Sequence, residues 1–258
     1  MASLFDPEMK LRWAKKHLGA LAAEVDAFRK TNTYRVSAEE DPANGWYVVR
    51  FQLPHDERVF TIALIAADFI ASLRCCLDHL AWQLALLSGQ TPSRDISFPI
   101  CEKDSVDTQI RIAKATYGIP DAAVAVMKAF QPYKYGDAYK STHLWRLHNL
   151  WNIDKHRHIV PHGVASDWFV RLESKEQVQI NVEELEDGQI VRFPLALKEK
   201  VHLNPNPGPP DVRFGWHTEK ERDDFGLDEL FQMHQFVADT VLPAFACFFA
   251  QPKTTGQT

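Results

Sequence analysis

Arg74, Asp78 and His79 interrupt an otherwise apolar stretch, LRCCLDHLAWQLA from Leu73 to Ala85. A permanent cation beside a histidine that titrates near neutrality is a natural acid/base and phosphate-binding pair. On a helical wheel that starts at Arg74, Asp78 lies at about 40° and His79 at about 140°. Asp68, Ser72 and Gln83 fall at about 120°, 160° and 180°, so with His79 they form a narrow polar stripe. Arg74 and Asp78 make an i,i+4 pair on a neighbouring face, worth about 0.2–0.5 kcal/mol if exposed. A buried polar group left without a partner costs about 1–3 kcal/mol. Partners are expected from another helix, a second subunit or a ligand. The plainer alternative is that Arg74 and Asp78 satisfy each other and His79 is a hydrogen-bonded core histidine.

A second constellation is HLWRLHNLWNIDKHRHIVPH, which holds five of the eleven histidines. Leu144, Leu147, Leu150 and Trp151 recur at spacings of three and four, the mark of a core-facing helix. His148, Asn152 and Lys155 lie on a different stripe. Asp154 can reach Arg157 or His158 near the helix C-terminus, where cations are favoured. Three readings follow. One is helix capping with a solvated basic end. Another is an anion or nucleic-acid site built from His148, Asn152, Asp154, Lys155, His156 and Arg157, with neighbouring rings to stack on bases. The third is a metal site using His156, His158 or His162 with Asp154. The H-x-H-x3-H spacing matches no zinc signature and no HExxH occurs, so no metal ligand is assigned and no cofactor is expected.

The elements that must carry these residues are legible from periodicity. DPEMKLRWAKKHLGALAAEVDAFRK predicts a first helix, opened by Asp6-Pro7. TYRVSAEEDPANGWYVVRFQL predicts two strands around a DPANG turn, about 33–53. A long helix is expected from Val59 to Leu87, stopped by Ser88-Gly89, then a short apolar anchor, FPIC, in a loop. Helices follow near 104–116, 121–130 and 140–156, with QPYKYGDAY as a loop between the last two. From Ile159 to Trp216 the chain turns to strand material: HIVPHGV, DWFVRLE, QVQINVEEL, QIVRFPLAL, KVHL and VRFGW. EDG at 186–188 reads as a hairpin turn, Glu173 to Asp187 as a solvated strand face, and the Pro-rich NPNPGPP at 204–210 as a loop. A last helix spans about 227–250 with a kink or break at Pro243. The organisation expected is a helical bundle over 1–158, a β-rich segment over 159–216, a C-terminal helix over 217–250 that returns to the bundle, and a disordered tail at 251–258.

Composition sets further bounds. A chain of 258 residues, 45% hydrophobic and 24% charged, suits a soluble globular protein. A net charge of -5 argues against a broad nucleic-acid surface but not against a local basic site. The N-terminus lacks a basic n-region followed by an apolar h-region, and the apolar run Val59–Leu87 carries four polar or charged groups that a bilayer tolerates poorly. Four cysteines with no CxxC suggest a reducing cytoplasm and no membrane partner. No GxSxG elbow and no glycine-rich phosphate loop occur. Cys75 stands near Arg74 and His79 as a conceivable nucleophile, though a buried helical cysteine is as a rule an inert small apolar residue.

Arg74-Cys75-Cys76-Leu77-Asp78-His79 fits R-x4-H and resembles the short signature of HEPN domains, which are helical bundles. The phrase LRCCLDHLAWQLA, with FPI, QPY and LWNIDKHR downstream, is also similar to a group of bacterial proteins of unknown function over about 60–160. The resemblance implies a HEPN-like helical bundle; with the strand material after Ile159, which a minimal HEPN bundle lacks, the fold expected is α+β, mainly that bundle with an antiparallel β-rich insertion before the last helix. The resemblance also implies a cytoplasmic homodimer that acts as a metal-independent endoribonuclease, with RNA as partner and a defence or toxin-like role. His79 would move protons, Arg74 would neutralise phosphate and Asp78 would orient one of them. Lys155, His156 and Arg157 would hold the nucleic-acid backbone. Two alternatives from other classes stand beside it: a non-catalytic HEPN-like binding or scaffold module, and a small-molecule enzyme with an aromatic-lined pocket.

Overall fold

The computed structural model describes residues 2–31, 35–52, 57–89, 91–156, 160–164, 169–172, 179–181, 190–203, 211–217 and 222–250. The chain is α+β, mainly helical, with antiparallel strands. It divides into two compact units. The first comprises Met1–Gly19, Ile65–Ile159 and Asp228–Thr258; the second comprises Ala20–Leu64 and Val160–Leu227. The expected hairpin turn at 186–188, the strand face 173–187 apart from 179–181, the Pro-rich loop 204–210 and the tail 251–258 lie outside the described residues.

The first unit is helical. It takes the start of α1 (Phe5–Thr31), most of α2 (Arg58–Leu86), α3 (Val106–Ala115), α4 (Asp121–Ala129), α5 (His143–His156), nearly all of α6 (Leu227–Phe236) and α7 (Leu242–Phe249). The first helix begins one residue before Asp6, and Asp6 does not cap it. Ser3 Oγ accepts from the Phe5 N–H at 3.3 Å, and the Asp6 carboxylate turns to Gln83. Ser88-Gly89 ends α2 as expected: the Ser88 N–H and Oγ–H both donate to the Ala85 carbonyl, and Gly89 takes the left-handed φ of 74° that closes the helix. Ser105 caps α3 by accepting from the Thr108 N–H at 3.2 Å.

Among the described residues α2 is the one helix long and apolar enough to cross a membrane by length and composition, with a mean hydropathy of 1.9 over an 18-residue stretch. Its Phe69, Ile70, Leu73, Leu77, Leu80 and Leu84 are fully buried here. Leu144, Leu147 and Leu150 of α5 and Leu230, Met233, Val241 and Phe245 near the C-terminus are buried as well. One expectation needs correction. The QPYKYGDAY loop is a 3-10 segment, Pro132–Ser141, broken at Gly136 where φ is 55°. The last helix is interrupted close to Pro243, as the proline implies. A π-helical turn, Val237–Val241, separates α6 from α7. Pro243 falls at the first turn of α7, where its missing N–H costs nothing, and the wider turn before it absorbs the interruption.

The second unit holds the strands. These are β1 (Arg35–Asp41), β2 (Trp46–Gln52), β3 (Val160–Val164), β4 (Phe169–Leu172), β5 (Gln179–Asn181), β6 (Ile190–Pro194), β7 (Val201–Leu203), β8 (Asp211–His217) and β9 (Arg222–Gly226). They form three antiparallel sheets, ordered β1-β2-β6, β3-β8-β9 and β5-β4-β7. The DPANG hairpin is formed: Asp41 pairs with Trp46, the Asp41 carboxylate accepts from Asn44, and Gly45 supplies a φ of 73°. The strand expected through Leu197 stops at Pro194, opposite Trp46. Leu195–Lys200 is a 3-10 turn instead, its first N–H bound to the Gly45 carbonyl at 2.8 Å. The sequence reading gave no strand at 222–226, where two aspartates lower the local β preference. Pairing overrides it: Phe214 lies opposite Phe225, and both are buried.

Candidate anion-binding cleft in the helical unit

The polar residues of α2 are divided between two partners. On the stripe, Asp68 and Gln83 meet α1 and the residues that open it. His17 Nδ1 stands 4.0 Å from Asp68. Gln83, 7% exposed, donates from Nε2 to Asp6 at 2.8 Å and accepts at Oε1 from the Ser3 N–H at 3.0 Å. On the other face, Arg74 and Asp78 meet the FPIC segment. Arg74 Nη2 donates to the Phe98 carbonyl at 2.8 Å and lies 2.9 Å from Asp78 Oδ1. The same Oδ1 accepts from the Phe98 N–H at 3.0 Å. One ion pair thus closes around both polar groups of one peptide residue, whose side chain is fully buried and edge-on to Phe245 at 6.3 Å.

Gln131 completes the clamp from the far side, and the sequence reading missed it. It is fully buried. Its Oε1 accepts from the Cys101 N–H at 3.0 Å, and its Nε2 donates to the Pro99 carbonyl at 2.7 Å and the Met127 carbonyl at 3.0 Å. The Tyr133 N–H donates to the Cys101 carbonyl at 3.2 Å, and the Ser97 N–H donates to the Ala115 carbonyl at 3.1 Å. Residues 97–101 therefore form an extended strap, much of whose backbone is satisfied by side chains rather than by a neighbouring strand. The only local signal was an apolar FPIC and a glutamine before a proline.

A partly open cleft of about 370 Å³ runs along this strap. Arg74, Asp78, Asp95, Arg111, Lys114, His148 and Trp151 line it, with Ser97 to Cys101 as one wall. Arg74 is 5% exposed, and its Nε and Nη1 are buried without a hydrogen-bond partner. Its guanidinium carbon lies 5.4 Å from the centre of the Trp151 ring, and Lys155 Nζ lies 4.1 Å from the same ring. Asp95 pairs with Lys114 at 3.5 Å. His148 Nδ1 is also buried without a partner. Burial first, then the charges of Arg74 and Arg111, push the His148 imidazole down to about 4, with Glu102 pulling the other way. Burial lowers Arg74 against the opposite pull of Asp78. It raises the Asp78 carboxyl against the pull of Arg74 and the Phe98 N–H.

The two constellations read from sequence are thus joined at one place, through Arg74, Asp78 and His148. The rest of the named residues stand apart from it. His79 is half-buried and does not line the cleft. Lys155 lies over the Trp151 ring without lining the cleft, and Asn152 and Asp154 are half-buried on α5 outside the cleft lining. His156 ends α5 with its side chain outside the described residues, and Arg157 and His158 lie outside them altogether. Among the described residues no group of three histidine, cysteine or carboxylate side chains is placed to hold a metal. The four cysteines are free, and burial raises the Cys76 thiol to about 12, far from a thiolate nucleophile. Arg111 and Lys114 had no sequence signal tying them to Arg74, because they reach it only through the packing of α3. No family profile, curated protein or solved structure matches the chain.

Proposed function

We propose that the helical unit is a binding module for a small anionic ligand, with Arg74 as its fixed cation. The observation that carries this is the state of Arg74. The strap and Asp78 occupy one of its nitrogens, while two more stay buried and unpartnered beside a cleft that also holds Arg111 and Lys114. An arginine kept only to tie down the strap needs no further cations around it. A preorganised guanidinium with spare donors suits an oxyanion. The test is calorimetric titration of the full chain with inorganic phosphate, repeated on Arg111→Gln and Lys114→Gln. Both side chains are exposed, so both variants keep the fold. Binding that weakens about three- to tenfold in each variant and falls with added salt supports the reading. Binding unchanged in both, or no binding at all, removes it.

The HEPN-type ribonuclease is a second reading, favoured by the excess of cations over carboxylates in the cleft and by R-x4-H on a buried helix. It takes the helical unit as a HEPN-like bundle and pairs Arg74 and His79 across two copies in a cytoplasmic homodimer. RNA cleavage in the presence of chelator, abolished by His79→Ala, is its expected result. Intact RNA over a range of pH, or an equally active variant, counts against it.

A further inference from the structure

Resting on the anion-binding reading above, we infer that the cleft takes a phosphate or sulfate group together with one proton on His148, so that the bound state is an oxyanion held between a guanidinium and an imidazolium. His148 and Arg74 line the same cleft from different helices. Each presents buried nitrogen with no partner: Nδ1 of the histidine, and Nε and Nη1 of the arginine. Among the described residues no group fills that need. An oxyanion has enough acceptor positions for all three, provided the histidine nitrogen carries hydrogen; a neutral ligand leaves the cations as they are.

The charges facing His148 decide the proton's behaviour. From α2 come Arg74 and Asp78, and from α3 Arg111 and Lys114; its own helix adds Lys155, the loops add Asp95 and Glu102, and the Cys101 thiol also lines the cleft. The carboxylates are already engaged. Asp78 is held by Arg74 and the Phe98 N–H, Asp95 by Lys114, and Glu102 by the Trp145 indole N–H at 3.1 Å. The imidazole therefore sits in a field dominated by cations, which keeps it neutral in the empty cleft, in line with its depressed proton affinity. An arriving oxyanion offsets those cations and gives Nδ1–H an acceptor, so the ring binds a proton as the ligand binds. By linkage, affinity then falls by up to tenfold for each unit of rising pH over the range in which a full proton is taken up.

Sulfate is the clean probe, since it does not titrate between pH 5 and 8 and any proton taken up belongs to the protein. Titrating the full chain with sulfate in two buffers of different ionisation enthalpy should give an uptake approaching one proton per sulfate near pH 5.5, shrinking toward pH 8. The His148 ring signal in NMR should shift its titration midpoint upward by more than about two pH units at saturating sulfate. His148→Gln should bind sulfate more weakly at pH 5.5, with an affinity that no longer depends on pH in this range, and should lose the uptake. If that variant does not fold, the wild-type NMR titration decides alone. Phenyl phosphate serves as a second arm: tighter binding than sulfate identifies an esterified ligand and equal binding a free ion, and either supports the proposal if the uptake is present. Binding without proton uptake, or an unmoved His148 midpoint, overturns this proposal and leaves the anion site standing. No binding of either anion at any pH overturns the anion site itself.

Discussion

Arg74 is an expensive residue to bury, and its surroundings show what offsets the cost. Its charge lies against Asp78, a carbonyl and an indole face, all inside the helical unit. Removing one partner of such a pair leaves an uncompensated charge in the interior. Asp78→Ala is therefore expected to destabilise by about 3–5 kcal/mol, whereas the paired change Arg74→Met with Asp78→Leu loses much less. Chemical denaturation of the two variants checks this, and equal losses in both would contradict it. His148 sets a second expectation. Its folded state binds a proton only near pH 4, while the unfolded chain binds one near 6.5, so the unfolded state carries more protons between these values. The stability this histidine contributes is complete above pH 6.5 and declines as pH falls toward 4, by about 2 kcal/mol once the partial exposure of the ring is allowed for. Burial depresses His143 and His234 in the same direction. Denaturation midpoints measured from pH 7 to 4 should show a steep acid limb, made shallower by His148→Gln. At this scale the sequence made Arg74, Asp78 and His148 visible because charge stands out in an apolar pattern. Gln131, Arg111 and Lys114 were not visible, because nothing local ties them to residues more than thirty positions away.

Among the elements, the strap at 97–101 has the strongest consequences. A strand in a sheet spreads its hydrogen bonds over a ladder; here Gln131 alone satisfies three backbone groups, two in the strap and one in α4. Gln131→Leu keeps the volume and leaves those groups unmet, at an expected cost of about 2–3 kcal/mol. Amide exchange at Cys101 should accelerate more than at the core of α2, and unchanged exchange there would sink this account of the strap. Phe98→Ala should cost about 3–5 kcal/mol through the cavity it opens against Phe245. Helices were the most legible elements, since spacings of three and four over ten or more residues leave little ambiguity, and their ends moved by only a residue or a few. The 3-10 segments and the π-turn were not legible, because they arise where proline and glycine meet tertiary packing. The strand at 222–226 was hidden by its aspartates and is held by its pairing with β8.

For the whole molecule the governing fact is charge. The chain carries -5 overall, while the cleft brings Arg74, Arg111 and Lys114 together against two carboxylates already paired. A small anion can be drawn to such a spot without the protein adhering to every polyanion it meets. The full chain is expected to pass through a heparin column at 0.15 M salt, and firm retention would point to a broad basic face. The α+β class was legible from the change of composition after Ile159, whereas the threefold division of its strands into separate sheets was not, since register depends on pairings between distant segments. The strap also bears on how such a sequence can drift over generations. Its grip comes from side chains at 74, 78 and 131, while its own residues at 98, 99 and 101 lend their main chain. A lineage is thus free to exchange Cys101 for another small residue, but a change at any of the three gripping positions has to be answered at the others.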